Sequence, residues 1–319
     1  MDWSKRSVVV TGGAGFLGRA VCAKLEERGA GKIGVPRRKD YDLTTELGVE
    51  RMYKDFEPDV VLHLAAEVGG IGANRKHPGR FFYANMAMGM HLIEAARERS
   101  IEKFVQVGTV CAYPKFAPVP FNENDIWNGY PEETNAPYGV AKKALFVMLD
   151  AYQREYGLNS AVPVPVNLYG PHDNFDLETS HVIPALIRKC VEAKVAGAES
   201  IQCWGTGSAS REFLFVDDAA EGVIVAAERA PNPEPINLGT GREIPIKELV
   251  ELIAKEVGFQ GRIEWDATQP DGQPRRCLDT KKAADVLGWS AQTSLEEGLR
   301  QTIDWYLESR RTGGHSQAA

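Results

Sequence analysis

Two rhythms of hydrophobic and polar positions alternate along the first half of the chain. Short apolar, β-branched runs occupy Ser7–Thr11 and residues 32–35, 60–65, 103–107 and 161–166. Between them, residues 16–28, 44–56, 80–99 and 138–156 repeat their apolar positions every three to four residues. The first rhythm predicts buried strands and the second amphipathic helices. Strand and helix in alternation predict an α/β fold, a doubly wound parallel sheet of Rossmann type covered on both faces. The regularity then weakens. Residues 113–137 are rich in Pro and Asn and read as a loop. From Asn167 onward the predicted elements are shorter and more interrupted, and residues 231–235 (PNPEP) read as a turn or linker. A helical rhythm returns at 246–257 and 295–307. The expectation is a dinucleotide-binding domain over 1–166 that takes back a segment near 217–240. A smaller α/β substrate domain would cover 167–309, with a frayed polar tail at 310–319.

Composition narrows the function classes. The 319 residues are 43% hydrophobic and 25% charged, ordinary for a globular protein. A net charge of -7 leaves no basic face of the kind nucleic acid requires. The five cysteines are odd in number and form no C-x-x-C pair, which argues against a disulfide framework or a metal site and for a reduced, cytoplasmic setting. The apolar run at Ser7–Thr11 is too short for a signal peptide or a membrane span.

Candidate chemistry begins where the first strand ends. Gly12, Gly13, Ala14, Gly15, Phe16, Leu17 and Gly18 form a G-x-x-G-x-x-G loop between a strand and a helix. Without side chains, such a loop lets backbone amides and a helix N-terminus approach a pyrophosphate. An acid after the second strand would bind the ribose hydroxyls of NAD. Here Arg37, Arg38 and Lys39 stand there instead, which suits the 2'-phosphate of NADP(H). Asp40 and Asp42 follow, one of them placed to contact adenine. Tyr138 and Lys142 are four residues apart, hence on one helix face. A nearby ammonium favours the phenolate, so Lys142 is expected to lower the Tyr138 pKa and ready the phenol to protonate a carbonyl receiving hydride. Alone, that spacing would suit an exposed helix face equally well. Thr109, just after the fourth predicted strand, adds a hydroxyl at the sheet edge where ligands bind in such folds.

These features, with HLAA at 63–66, resemble the extended short-chain dehydrogenase/reductases. Longer strings narrow the resemblance: EVGGIGAN at 67–74, CAYPK at 111–115, NLYGPHDNF at 167–175, SHVIPAL at 180–186, REFLFVDD at 211–218 and PDGQPR at 270–275. They are similar to the GDP-L-fucose synthases, the 3,5-epimerase/4-reductases of GDP-4-keto-6-deoxy-D-mannose, over nearly the whole chain. The resemblance implies that Cys111 and His181 exchange protons at carbons 3 and 5, and that Tyr138 protonates the carbon-4 oxygen. It implies a cofactor groove that also takes in Leu64, Ala65, Ala66, Val107, Pro165, Asn167, Leu168 and His181. The nucleotide sugar would be held by Asn167, Lys189, Trp204, Arg211 and Asp271. A homodimer built on the helices at 80–99 and 138–156 is implied too. Two positions depart from the pattern: Thr109 stands where the family has serine, and Ala14 where many members carry a basic side chain. A related keto nucleotide sugar, of GDP-heptose or GDP-colitose type, stays open as substrate. A nucleotide-sugar 4-epimerase is a further alternative.

Overall fold

The computed structural model describes residues 1–269 and 272–312. Its first part runs β1 (Ser7–Thr11), α1 (Phe16–Glu27), β2 (Lys32–Gly34), α2 (Glu46–Phe56), β3 (Val60–His63), a short α3 (Ile71–Lys76), α4 (Pro78–Glu98), β4 (Lys103–Gln106), α5 (Ala136–Tyr156) and β5 (Ser160–Pro165). Then come β6 (Asn167–Tyr169), α6 (Val182–Ala196), β7 (Ser200–Trp204), β8 (Ser210–Phe215), α7 (Val216–Arg229), β9 (Pro235–Leu238), β10 (Glu243–Pro245), α8 (Ile246–Val257), β11 (Arg262–Asp266) and α9 (Leu295–Arg311).

Six strands form one parallel sheet in the order β2-β1-β3-β4-β5-β9. The order reverses at β1, and right-handed crossovers then place successive helices on opposite faces. α1 and α7 pack together, as do α4 and α5. Val8, Val9, Val10, Val60, Val61, Leu62, Phe104 and Val105 are fully buried between these layers. A sheet covered twice has no polar face, which explains the unbroken apolar runs. The fold class read from the sequence is the one observed.

The second half differs from expectation in detail. α6 has 15 residues and α7 has 14, so long helices continue past Asn167. Residues 231–234 form the expected turn, and Pro235 already opens β9, the sixth strand of the main sheet. Proline lacks a ladder donor and is tolerated there because β9 lies at the sheet edge. The last helix runs on to Arg311 rather than ending at 307. A second core gathers α6, α8 and α9 around Ile187, Leu249, Ile253 and Leu299. It rests on a three-stranded sheet, β10-β8-β6, and the parallel pair β11-β7.

One buried carboxylate joins the two cores. Glu212 on β8 is fully buried and accepts from the backbone N–H groups of Thr240, Gly241 and Leu278 at 2.5, 2.7 and 2.6 Å. Its own carbonyl accepts from the Asn167 side chain at 2.9 Å. Removing the carboxylate orphans the buried Leu278 N–H, at a cost on the order of 1–3 kcal/mol, and frees the less buried N–H groups of Thr240 and Gly241. Glu212→Ala is therefore expected to lower the unfolding free energy by roughly 3–5 kcal/mol, as for other broken buried charge networks. Urea unfolding checks it, and a loss below about 1 kcal/mol, the size of one ordinary hydrogen bond, would mean the carboxylate is no clamp.

Candidate active site

The glycine loop is built by close approach. Gly12 has φ +72°, and a Cβ there would stand 2.9 Å from the Ala65 nitrogen. A Cβ on Gly18 would fall 2.1 Å from the Gly12 carbonyl oxygen, so α1 can begin against the loop only without one. Thr11 ties the neighbouring strand end in, its hydroxyl accepting from Ala65 N–H at 3.2 Å and meeting His63 Nδ1 at 2.8 Å. Leu64, Ala65 and Ala66 are half-buried beside the loop. The loop thus presents a side-chain-free cradle at the carboxyl end of β1, next to the α1 N-terminus. It fits a dinucleotide pyrophosphate.

Arg37, Arg38 and Lys39 follow β2 and are exposed. Arg38 reaches Glu67 at 3.2 Å. Asp42 turns back to Thr44, accepting from its N–H and hydroxyl at 3.0 and 2.7 Å. Those bonds, with Arg38 and Arg80 nearby, hold its carboxyl below the usual range.

The turn after β4 carries Thr109 and Cys111. Thr109 Oγ1 caps it by accepting from Cys111 N–H at 3.2 Å. Gly139 of α5 lies against the same turn, where a Cβ would stand 2.2 Å from the Cys111 carbonyl oxygen. That contact sets the preceding residue, Tyr138, beside Thr109 and Cys111. The Tyr138 phenol is buried close to the Thr109 and Cys111 side chains. Lys142, one turn on and also buried, donates to the Val107 carbonyl at 3.1 Å.

The electrostatics depart from the sequence reading. Burial dominates at Tyr138 and pushes its pKa up, with Cys111 adding and the Thr109 hydrogen bond opposing. Lys142 is not what shifts it. Its ammonium is turned to the Val107 carbonyl and is itself pushed down to about 8 by burial. Tyr138 therefore keeps its proton at neutral pH, the form a proton donor needs.

A cavity of about 260 Å³ is lined by Asn167, Leu168, His181, Trp204, Arg211 and Phe213 among others, and Tyr138, Thr109 and Cys111 are not in its lining. Gly108 N–H donates to Pro163 O at 2.8 Å, so the turn bearing Thr109 and Cys111 lies beside the strand that runs through buried Pro165 into Asn167. His181 begins α6 and faces this cavity. The residue is exposed as a whole, but desolvation of its ring by the surrounding protein, then Arg276, lowers its pKa. Trp204 is 69% exposed, offering an indole face for stacking. Lys189 stands outside the lining and donates to the Gln202 carbonyl at 2.9 Å. Asp271 lies outside the described residues. Arg276, beside His181, and Arg80, on Glu67, were not singled out from the sequence, because each reads as a surface cation.

Residues 8–239 match the family described as the NAD dependent epimerase/dehydratase family. The chain belongs to that family. It is 42% identical to "GDP-L-fucose synthase 1" of Arabidopsis thaliana over 309 residues, 97% of this chain and 95% of that one. It is 40% identical to "GDP-L-fucose synthase" of Escherichia coli K12 over 316 residues, covering 96% and 98%. Among solved structures, a GDP-L-fucose synthetase from Naegleria fowleri bound to NADP superposes with a TM-score of 0.87 at 26% identity, covering 96% of this chain and 95% of that one.

Proposed function

We propose that this family member is a cytoplasmic GDP-L-fucose synthase, a 3,5-epimerase and NADPH-dependent 4-reductase of GDP-4-keto-6-deoxy-D-mannose. One observation carries the reading: the buried Tyr138 phenol sits close to Thr109 and Cys111, on a turn that Gly108 N–H ties to the strand leading into Asn167, and Asn167 lines a cavity together with His181, Trp204 and Arg211. The relatives above are synthases of that name over nearly their whole length. The first core is read as the cofactor domain and the second as the substrate domain, with the site between them.

The substrate's ketone makes the hydrogens on carbons 3 and 5 acidic, since loss of either leaves an enolate. Cys111 and His181 act as the acid/base pair. One takes a proton from one face of the ring, and the other returns a proton to the opposite face, inverting that carbon. His181 suits either role because its ring, held below its ordinary pKa, is neutral at pH 7 and binds a proton only transiently. Bound NADPH supplies the hydride for carbon 4. Tyr138 donates its proton to the carbon-4 oxygen, and Thr109 holds that oxygen and the phenol in line. Lys142 holds the nicotinamide ribose. Arg211 meets the diphosphate and Trp204 packs on the base, with Asn167, Lys189 and Asp271 completing the nucleotide-sugar site. Gly12 to Gly18 cradle the cofactor pyrophosphate and Arg38 binds the 2'-phosphate. A homodimer forms on α4 and α5, which expose Phe82, Tyr83, Met90 and Val147. No helix among the described residues is long and apolar enough to cross a membrane.

The decisive experiment mixes the protein, NADPH and GDP-4-keto-6-deoxy-D-mannose in deuterated water. The expected result is NADPH loss and GDP-L-fucose carrying deuterium at carbons 3 and 5. Another product, or no exchange at either carbon, rejects the reading. Lys142 adds a pH signature. Its pKa is depressed, so its charge is lost as pH rises through about 8 instead of through the ordinary lysine value. The reductive rate is expected to be level below that pH and to fall about tenfold per unit above it. A rate still level at pH 9.5 would show that the lysine charge is not needed.

A further inference from the structure

The carboxylate of Glu67 lies where two guanidinium groups meet. Arg80, on α4, holds it in a fork, Nε to Oε2 at 2.7 Å and Nη2 to Oε1 at 2.5 Å. Arg38, from the loop after β2, reaches Oε1 at 3.2 Å. The sheet order says what this pair of bridges spans. β1 lies between β2 and β3, and the glycine loop follows β1. A contact from the segment after β2 to the segment after β3 therefore crosses the end of β1 where that loop begins, the side on which the proposed function seats the adenosine.

We propose that Glu67 is a specificity-determining residue, an internal stand-in for the 2'-phosphate of NADP(H), and that Arg80 is the second cation of the phosphate seat. The inference rests on the reading of Arg38 as the phosphate clamp. A carboxylate and a phosphate ask for the same bidentate donors. Glu67 carries one negative charge, whereas a 2'-phosphate carries about two near neutral pH. A phosphate outbids the carboxylate for Arg38. NADH, which ends in a plain 2'-hydroxyl, leaves the clasp closed across its own path. An exposed ion pair is weak, and Arg38 is 72% exposed, so the clasp opens at small cost to a ligand that can replace it. Glu67 thus lowers affinity for both cofactors but penalises the one without the phosphate. This provides discrimination in a chain with Ala14, not a cation, in the glycine loop.

The test uses two probes that differ only in the 2'-phosphate, adenosine 2',5'-bisphosphate and 5'-AMP. Both are titrated by calorimetry into the full protein at fixed ionic strength. Glu67→Gln is expected to bind the bisphosphate at least about fivefold more tightly than wild type, a normal size for one coupled charge. The same variant should gain more on 5'-AMP, narrowing the ratio of the two affinities, because 5'-AMP cannot displace the clasp; an unchanged or wider ratio overturns the specificity role. Arg80→Met should weaken the bisphosphate about tenfold with little change for 5'-AMP, as expected for one lost charge-assisted pair. Unchanged or weaker bisphosphate binding by Glu67→Gln, or an unchanged preference in Arg80→Met, overturns the proposal. Arg38→Met separates the two levels. If it abolishes the preference while the other two variants do nothing, only the clasp is wrong. If it keeps the preference, the clamp reading falls too.

Discussion

Tyr138→Phe is expected to slow NADPH oxidation by roughly 100- to 10,000-fold, the range of a lost general acid, while proton exchange at carbons 3 and 5 continues. The variant removes one oxygen and keeps the ring, in a buried position where a larger change would disturb packing. Lys142 should stay in place, because its hydrogen bond goes to the Val107 carbonyl and not to the phenol. Thr109 remains capped onto Cys111 N–H, so the turn that carries the thiol keeps its shape. What vanishes is the proton for the carbon-4 oxygen. Hydride arriving there would leave an alkoxide in a site drier than water, at heavy electrostatic cost. Exchange uses the opposite polarity: it needs the carbonyl polarised but never reduced, and Thr109 still donates to it. Single-turnover NADPH absorbance and deuterium uptake by NMR read the two steps separately. Oxidation within threefold of wild type would remove Tyr138 from the mechanism. Loss of exchange together with oxidation would show that the phenol serves both steps.

The same residues show what a chain reveals before it is folded. β1 with its glycine loop, α1, α4 and α5 were readable because their signals are local. Periodicity, a Gly-x-x-Gly-x-x-Gly string and a four-residue spacing all survive in one dimension. β9 was readable only as part of a segment returning to the first domain and not as a strand, since a strand beginning with Pro235 and containing Asn237 lacks the apolar run of its neighbours. It is held from outside, where Asn237 accepts from the Tyr113 phenol and donates to the Phe121 and Asp279 carbonyls. The Tyr138–Lys142 pairing was legible as position and misleading as electrostatics. Spacing puts an ammonium near a phenol, but only the fold shows that both are buried and that the ammonium is turned away. Glu67 and Arg80 stayed hidden for the converse reason. Thirteen positions apart, they read as two surface charges until α4 brings them together beside the glycine loop.

Cys111→Ser and His181→Gln are each expected to lower deuterium exchange by at least about 100-fold at one carbon or both, again the contribution of a positioned acid or base. Both substitutions are close in size to the residues they replace. The serine hydroxyl does not ionise near neutral pH, so it cannot serve as the base, and glutamine cannot carry a proton to carbon. Neither residue belongs to the glycine loop or to the Arg38 clamp, so binding of adenosine 2',5'-bisphosphate should stay at its wild-type value. That unchanged affinity distinguishes lost chemistry from a collapsed fold. The pair also predicts a product. Tyr138, Thr109 and Lys142 remain intact in both variants, so the ketone can still be reduced, slowly and without inversion. The sugar formed should then retain the substrate's configuration at whichever carbon the missing group serves. Nuclear Overhauser contacts across the ring would identify it, and the carbon left uninverted in each variant would assign the thiol and the imidazole to their centres. If both variants exchange at the wild-type rate, the acid and base lie elsewhere, and the cavity lined by His181 only holds the nucleotide.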